Sequence, residues 1–309
     1  MRRRVHWMFA GFLVAIASGN IVAQSKPVPK IALQAERYAL MLGDQPYFIL
    51  GAQIHNSGFR PAMLPQPMKA AEVLHANTEE APVYWETMEE HSGVYDPSNV
   101  DAVVQQARAH PFHLVLLWFG SWKTCCSYTP EWTMSDPKKY PRIMTRSSDP
   151  TSERSLYSAE NLNAEKKAFS SLLEHIKATD DAEQTVIMIQ EQNEAGALNA
   201  VRDSSSESKK LFDGQVPDCL VRAMHKRPER WQEAFGKDVE EPFLPEGISR
   251  FINEFAKAGK AVYPLPTYVN AWLGTPDGQM RPGFDSPSGG PAFNVFDIWK
   301  AVAPEIRTY

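Results

Sequence analysis

Residues 185–196 read T-V-I-M-I-Q-E-Q-N-E-A-G, an apolar β-branched run that passes directly into amides and carboxylates and then a glycine. Val186, Ile187, Met188 and Ile189 have the unbroken apolar character of a strand buried on both faces, as in parallel sheets. Polar side chains in series at the end of such a strand require a cleft. The carboxyl end of a barrel strand is where reacting groups sit. A carboxyl held there can give and take a proton if its surroundings raise its pKa. Glu194 is therefore expected to be a catalytic acid, and Asn193 a hydrogen-bonding ligand group beside it. Strand alternation puts Gln190, Gln192 and Glu194 on one face and Glu191 and Asn193 on the other. The structural alternative is a solvated strand end.

The elements that must position these residues can be read from hydrophobic periodicity. A hairpin over 38–54 feeds a buried strand at 47–54, ended by His55. A short helix covers 68–76 and a second strand 77–85, with Glu86, Glu89 and Glu90 just beyond. Asp96 and Pro97 are expected to start a helix as N-cap and first helical residue. Val100, Val103, Val104 and Ala107 give that helix one apolar face. A third strand, F-H-L-V-L-L-W-F at 112–119, runs into Gly120-Ser121-Trp122-Lys123. The segment 124–159 reads as a long loop, a length usually tied to function or to a surface excursion. A helix over 164–178 carries Phe169, Leu172, Leu173 and Ile176 as its stripe. After a polar insertion at 200–246, Ile248, Phe251, Ile252 and Phe255 mark another helix, closed by Gly259 at C′. A fifth strand is expected at 261–273, a helix at 293–302 and the start of a sixth strand at 306–309.

Strand and helix alternate throughout, which implies parallel pairing through helical crossovers. The fold class expected is α/β, a (β/α)8 TIM barrel, here incomplete with about five to six strands. Polar and aromatic residues collect at the strand ends: His55, Glu86, Trp122, Asn193, Glu194, Asn270 and Trp272 share one mouth. No G-x-G-x-x-G or P-loop glycine pattern is present, which removes the commonest nucleotide-binding readings.

The bulk properties agree with one large domain. The chain has 309 residues, a formal net charge of −5 and 43% hydrophobic residues. Mild acidity argues against a nucleic-acid partner. Arg2, Arg3 and Arg4 precede an apolar run at 7–17, and Ala23 ends a plausible cleavage site. Residues 1–23 are thus expected to be a signal peptide, and the product to be exported, with no membrane span after cleavage. Cys125, Cys126 and Cys219 are an odd set without zinc spacing, so at least one thiol is unpaired within the chain, and no metal or cofactor is implied.

Carboxylates, amides and tryptophans at one mouth suit sugar chemistry, because aromatic faces stack on sugar rings and glycoside hydrolysis uses two carboxyls. Trp118 and Trp122, which flank Gly120, are stacking candidates with a core-packing alternative. The segment Asn77-Thr78, Val83-Tyr84-Trp85-Glu86, Glu89, Gly93, Tyr95 and Asp96 resembles the N-x7-W-x3-E-x3-G-x-Y-D block of family 35 and family 42 β-galactosidases. L-L-W-F-G-S-W-K at 116–123 and Asn193-Glu194 resemble two further blocks of that clan. The resemblance implies a barrel spanning 24–309 and retaining hydrolysis of a terminal β-linked sugar, most often galactose. It makes Glu194 the acid/base and Asn193 the ligand of the sugar 2-hydroxyl, with Trp122, Trp85 and Asn270 as further substrate contacts. A carbohydrate is the implied partner, and no cofactor is required. Two departures stand out. The usual E-N-E is Gln192-Asn193-Glu194 here, and an acid occupies position 191, where relatives tend to be apolar. The nucleophile, a Glu ending the seventh strand in relatives, has no counterpart and is expected beyond Tyr309. The rival readings are a sugar-binding remnant without turnover, or a clan member for another sugar.

Overall fold

The structure, a computed structural model, describes residues 26–34, 36–123, 128–273 and 281–306. The expected signal peptide, Cys125 and Cys126 lie outside these residues. β1 (Lys30–Gln34), β2 (Arg37–Leu42) and β3 (Gln45–Tyr47) form an antiparallel sheet in that order. β4 (Gly51–Gln53), α1 (Pro65–Val73), β5 (Thr78–Tyr84), α2 (Trp85–Met88), α3 (Ser98–Ala109) and β6 (His113–Lys123) follow. Next come α4 (Glu131–Met134), the hairpin of β7 (Arg142–Met144) and β8 (Pro150–Arg154), α5 (Ala159–Asp180) and β9 (Val186–Asn193). α6 (Ser206–Phe212), α7 (Asp218–Ala223), α8 (Trp231–Phe235), α9 (Glu240–Val262), β10 (Thr267–Tyr268) and α10 (Phe296–Val302) complete the described chain.

The central sheet runs β10-β9-β6-β5-β4, with every pairing parallel. Its spatial order follows chain order without reversal, so it lacks the switch point of a doubly wound sheet. Glu80 in β5 and Tyr268 in β10 are three strand spacings apart, about 14 Å on a flat sheet. Strand side chains stand roughly perpendicular to their sheet. Yet the Tyr268 hydroxyl donates to Glu80 Oε1 at 3.1 Å, so the sheet curls toward that face. The opposite face is covered by α5 and α9. Phe169, Leu172, Leu173 and Ile176 of α5 are buried there with Phe251, Ile252 and Phe255 of α9.

Several sequence expectations are corrected. The single strand expected at 47–54 is split: β3 belongs to the antiparallel sheet, and only Gly51–Gln53 joins the central one. Phe48 and Leu50 between them are exposed. Pro97, not Asp96, is the residue capping α3. Asp96 Oδ1 instead accepts from the Ser98 amide at 2.9 Å, closing the turn before the helix. α9 does not stop at Gly259 but continues to Val262. A Cβ on Gly259 would lie 2.5 Å from Phe169 Cε1, so this glycine serves close helix packing rather than a cap. The fifth strand shrinks from 261–273 to two residues. α9 extends into its start, and Pro264 and Pro266 then remove ladder donors just before it. Segment 124–159 holds α4 and the β7–β8 hairpin in its described part. Ile306 is outside any strand, and residues 307–309 lie beyond the description.

Burial of Glu79 on β5 has a measurable consequence. It is 1% exposed, and loss of solvent, then repulsion from Glu80, push its carboxyl up to about 7. A raised carboxyl binds more protons folded than unfolded, so stability falls as pH rises from about 4.5 to about 7. Urea midpoints of Glu79→Gln measured across that window are expected to decline less steeply than those of the unmodified chain.

Candidate active site

The end of β9 is held by a buried polar knot. Glu165 on α5 is fully buried, and four donors converge on its carboxyl. Trp118 Nε1 reaches Oε1 at 3.0 Å and the Ser121 amide reaches it at 3.3 Å. The Ser121 hydroxyl donates to Oε2 at 2.5 Å, and Gln192 Nε2 also donates to Oε1. Burial raises the Glu165 pKa, and the donors oppose that rise. On its other end, Gln192 Oε1 accepts from the Gly120 amide at 3.3 Å and the Trp122 amide at 3.0 Å.

Those contacts take the place of a backbone ladder. Trp118 is in register with Glu191, but Asn193 is in register with Lys123, so β6 bulges between them. The side chain of Gln192 fills the bulge. A Cβ on Gly120 would stand 2.0 Å from Glu165 Oε1, so only glycine fits at the crossing. Gln192 itself has φ +64° and Glu194 φ +52°, both left-handed. The simple alternation expected from sequence therefore fails past Glu191. Glu191 and Gln192 both turn toward the helix layer. Asn193 joins Gln190 on the concave face, where Gln190 Nε2 reaches Asn193 Oδ1 at 3.4 Å.

Asn193 and Glu194 are then tied to the neighbouring strand's end. Asn270 Oδ1 accepts from the Glu194 amide at 2.8 Å, and Asn270 Nδ2 donates to Asn193 Oδ1 at 3.2 Å. The three residues singled out at the ends of the fourth and fifth strands thus form one hydrogen-bonded group. Asn193 is buried and Glu194 half-buried. Upstream, β9 is anchored by Asp180, which accepts from the Val186 amide at 2.7 Å while pairing with Arg108 at 2.6 Å.

The other expected site residues are placed differently. Trp122 is 2% exposed and meets Phe251 edge-on at 5.2 Å. Trp85 is also 2% exposed. Its indole donates to Glu89 Oε2 at 2.7 Å and its ring abuts Trp132. Trp118 is fully buried on Glu165. All three have core positions, with no face turned to solvent. Trp272 is half-buried, its amide bonded to the Pro291 carbonyl at 2.8 Å. His55 and Glu86 border a cleft of about 800 Å³ at the ends of β4 and β5, with Phe59, Arg60, Tyr84, Asn99 and Tyr128. Glu194 is not among the residues lining it. Loss of solvent raises the Glu86 pKa, opposed by Arg60. Among the described residues, no three His, Cys, Asp or Glu side chains cluster to hold a metal ion, and Cys219 is a free thiol. No described helix is long and apolar enough to cross a membrane.

Sequence reading missed Glu165 and Gln192 as the residues shaping the site. Glu165 had a visible signal: it precedes Phe169, Leu172, Leu173 and Ile176 by 4, 7, 8 and 11 residues, on the buried stripe of its helix. A carboxyl on such a stripe needs buried partners.

The parallel sheet runs in chain order, curves and is covered by helices, with polar groups at its strand ends. Solved structures similar to this chain include β-galactosidases. The enzyme of the Antarctic haloarchaeon Halorubrum lacusprofundi aligns at TM-score 0.53 and 14% identity, over 82% of this chain and 39% of that one. That of the psychrophilic Marinomonas ef1 gives 0.53 and 12%, over 77% and 38%. That of Bacillus circulans sp. alkalophilus gives 0.52 and 13%, over 72% and 36%. At these identities the likeness is one of fold, and the chain spans under two-fifths of each structure's length. No protein-family model matches the chain, and no curated protein does.

Proposed function

We propose that the chain carries the acid/base half of a retaining β-galactosidase-type site on an incomplete (β/α)8 barrel, exported after loss of residues 1–23. The observation that carries this reading is the group Asn193, Glu194 and Asn270 at adjacent strand ends, in a fold shared with β-galactosidase structures. Glu194 protonates the glycosidic oxygen and then deprotonates the incoming water. Asn193, its carbonyl fixed by Asn270 and Gln190, is the ligand of a sugar hydroxyl in this reading. Trp122, beneath the site, holds Gln192 through its backbone amide.

Retaining hydrolysis also needs a second carboxyl about 5–5.5 Å from the first, so the assay uses the complete product of the gene. Glu194→Ala is expected to lower turnover of lactose about 10³-fold. Azide should then restore turnover of 2,4-dinitrophenyl β-galactoside and yield β-galactosyl azide. Undiminished lactose hydrolysis by the variant would refute the assignment, and so would an α-configured azide product.

A further inference from the structure

The polar insertion that follows β9 takes no part in the chemistry assigned to Glu194, and its charge is unevenly spread. Residues 222–230 read R-A-M-H-K-R-P-E-R. Arg222, Lys226, Arg227 and Arg230 stand against one acid, Glu229, a local net charge of +3 in a chain whose total is −5. The four cations and His225 are all exposed. β9 ends at Asn193 and α9 begins at Glu240, so the insertion rises from the same end of the sheet as Glu194.

The fold holds this run in one place. The Val216 amide donates to the Glu229 carbonyl at 3.0 Å and the Trp231 amide to the Gly214 carbonyl at 3.3 Å, so the segment between them is a closed loop. α7 ends inside it. There the Lys226 amide donates to the Val221 carbonyl at 2.9 Å, and His225 before it is left-handed at φ +52°. Leu220 and Trp231 are buried and anchor the loop, Trp231 meeting Phe243 of α9 at 5.0 Å. A partner that uses these cations therefore does not have to order the backbone that carries them. The charges are also available. Arg227 pairs with Glu229 at 3.3 Å while its side chain stays 85% exposed, and an exposed pair of that kind contributes little. Lys226 lies over the Phe235 ring at 5.0 Å, a contact that leaves its charge uncancelled. Arg222 and Arg230 have no ion pair among the described residues. Of the nearby acids, Asp218 is at the far end of α7, and Glu233 accepts from the Arg230 backbone amide at 3.2 Å.

Three of the four cations are arginines, whose planar forks pair with oxyanions. The surroundings choose among anionic partners. The remainder of the chain is net negative, so a broad anionic face such as a bilayer would be repelled by most of the surface it met. Firm hold on a bilayer also needs an apolar anchor beside the cations, and residues 222–230 expose no large apolar side chain. A flexible polymer engages the loop alone. We propose that the loop at 222–230 is a docking site for an anionic polysaccharide, gripped through its charged groups by Arg222, Lys226, Arg227 and Arg230.

The test is a calorimetric titration of the 309-residue chain with dextran sulfate, with neutral dextran, and with vesicles of equal parts phosphatidylglycerol and phosphatidylcholine. Saturable binding is expected for dextran sulfate alone. The triple variant Arg222→Ser, Arg227→Ser, Arg230→Ser changes exposed side chains only, and serine at 230 suits the start of α8. It should weaken dextran sulfate about tenfold or more, since each cation near an anionic surface contributes about fivefold. Arg37→Ser, Lys69→Ser, Lys300→Ser removes the same charge from exposed positions on other elements. It should change the affinity by less than about twofold, because distant charges are screened. No saturable binding of dextran sulfate overturns the proposal. Equal losses in the two triple variants would overturn it as well, and so would vesicle binding as tight as that of dextran sulfate. No hydrolysis is read, so the outcome does not depend on the assignment of Glu194.

Discussion

Replacing Glu165 with alanine is expected to cost about 4 kcal/mol or more of folding stability. The carboxyl accepts from Trp118 Nε1, the Ser121 amide, the Ser121 hydroxyl and Gln192 Nε2, all in a region closed to water. Each buried donor left without an acceptor costs about 1–3 kcal/mol. Ser121 Oγ can turn to another acceptor, but the indole, the backbone amide and the Gln192 amide are fixed by the bulge they brace. A void is added where the side chain stood. Since whole domains are stable by only about 5–15 kcal/mol, the variant should unfold at a much lower urea concentration. Glu165→Gln is the informative control. Its amide oxygen can take the three contacts of Oε1, and its amide nitrogen can donate to Ser121 Oγ. It should therefore stay within about 1 kcal/mol of the parent. Equal urea midpoints for the alanine variant and the parent would show that the knot contributes nothing. Equal losses in both variants would show that the negative charge, not the hydrogen bonding, is what the knot requires.

The same knot explains where sequence was informative and where it was not. Runs such as 112–119 and 186–189 announce buried strands because their apolar character has no other use, and α3 was legible from Val100, Val103, Val104 and Ala107. Asn193, Glu194 and Asn270 could be placed at strand ends because polarity changes abruptly there. What could not be read is the turn of the backbone at Gln192. Its φ of +64° is imposed by tertiary contacts, namely the bulge in β6 and the Glu165 carboxyl 27 residues upstream. Local rules describe a regular strand, and this one becomes irregular where the site begins. The tryptophans illustrate a second limit. Trp85 and Trp122 have the composition of a sugar platform, but an indole serves equally well as core, and only their 2% exposure separates the two uses. The two-residue β10 shows a third: Pro264 and Pro266 were visible and should have shortened that strand on chemistry alone.

Glu191→Leu is expected to stabilise the protein by about 1–3 kcal/mol at pH 7, and by much less at pH 5. Glu191 lies on the helix-facing side of β9, fully buried, with no hydrogen-bond partner on either oxygen among the described residues. Burial pushes its carboxyl well above the usual range. The Lys260 charge and the nearby Thr267 hydroxyl oppose the shift, and Glu165 and Glu305 add to it. An acid with a raised folded pKa holds its proton in the folded state after the unfolded chain has lost it. Stability is then full below the unfolded carboxyl's pKa and falls by about 1.4 kcal/mol per pH unit above it, until the folded pKa is reached. Removing the carboxyl removes that slope, so the advantage of the leucine variant must grow with pH. Lys260 is not stranded by the change, because Glu305 stays 3.6 Å from its ammonium. Urea midpoints of parent and variant at pH 5, 6, 7 and 8 decide the matter. Diverging curves are expected; parallel ones would mean that Glu191 ionises in the folded state as readily as in the unfolded chain. A leucine there also fills the layer between β9 and α9 with carbon, so the gain extrapolated to below the unfolded carboxyl's pKa, where both states hold the proton, is the part separate from the ionisation of the acid it replaced.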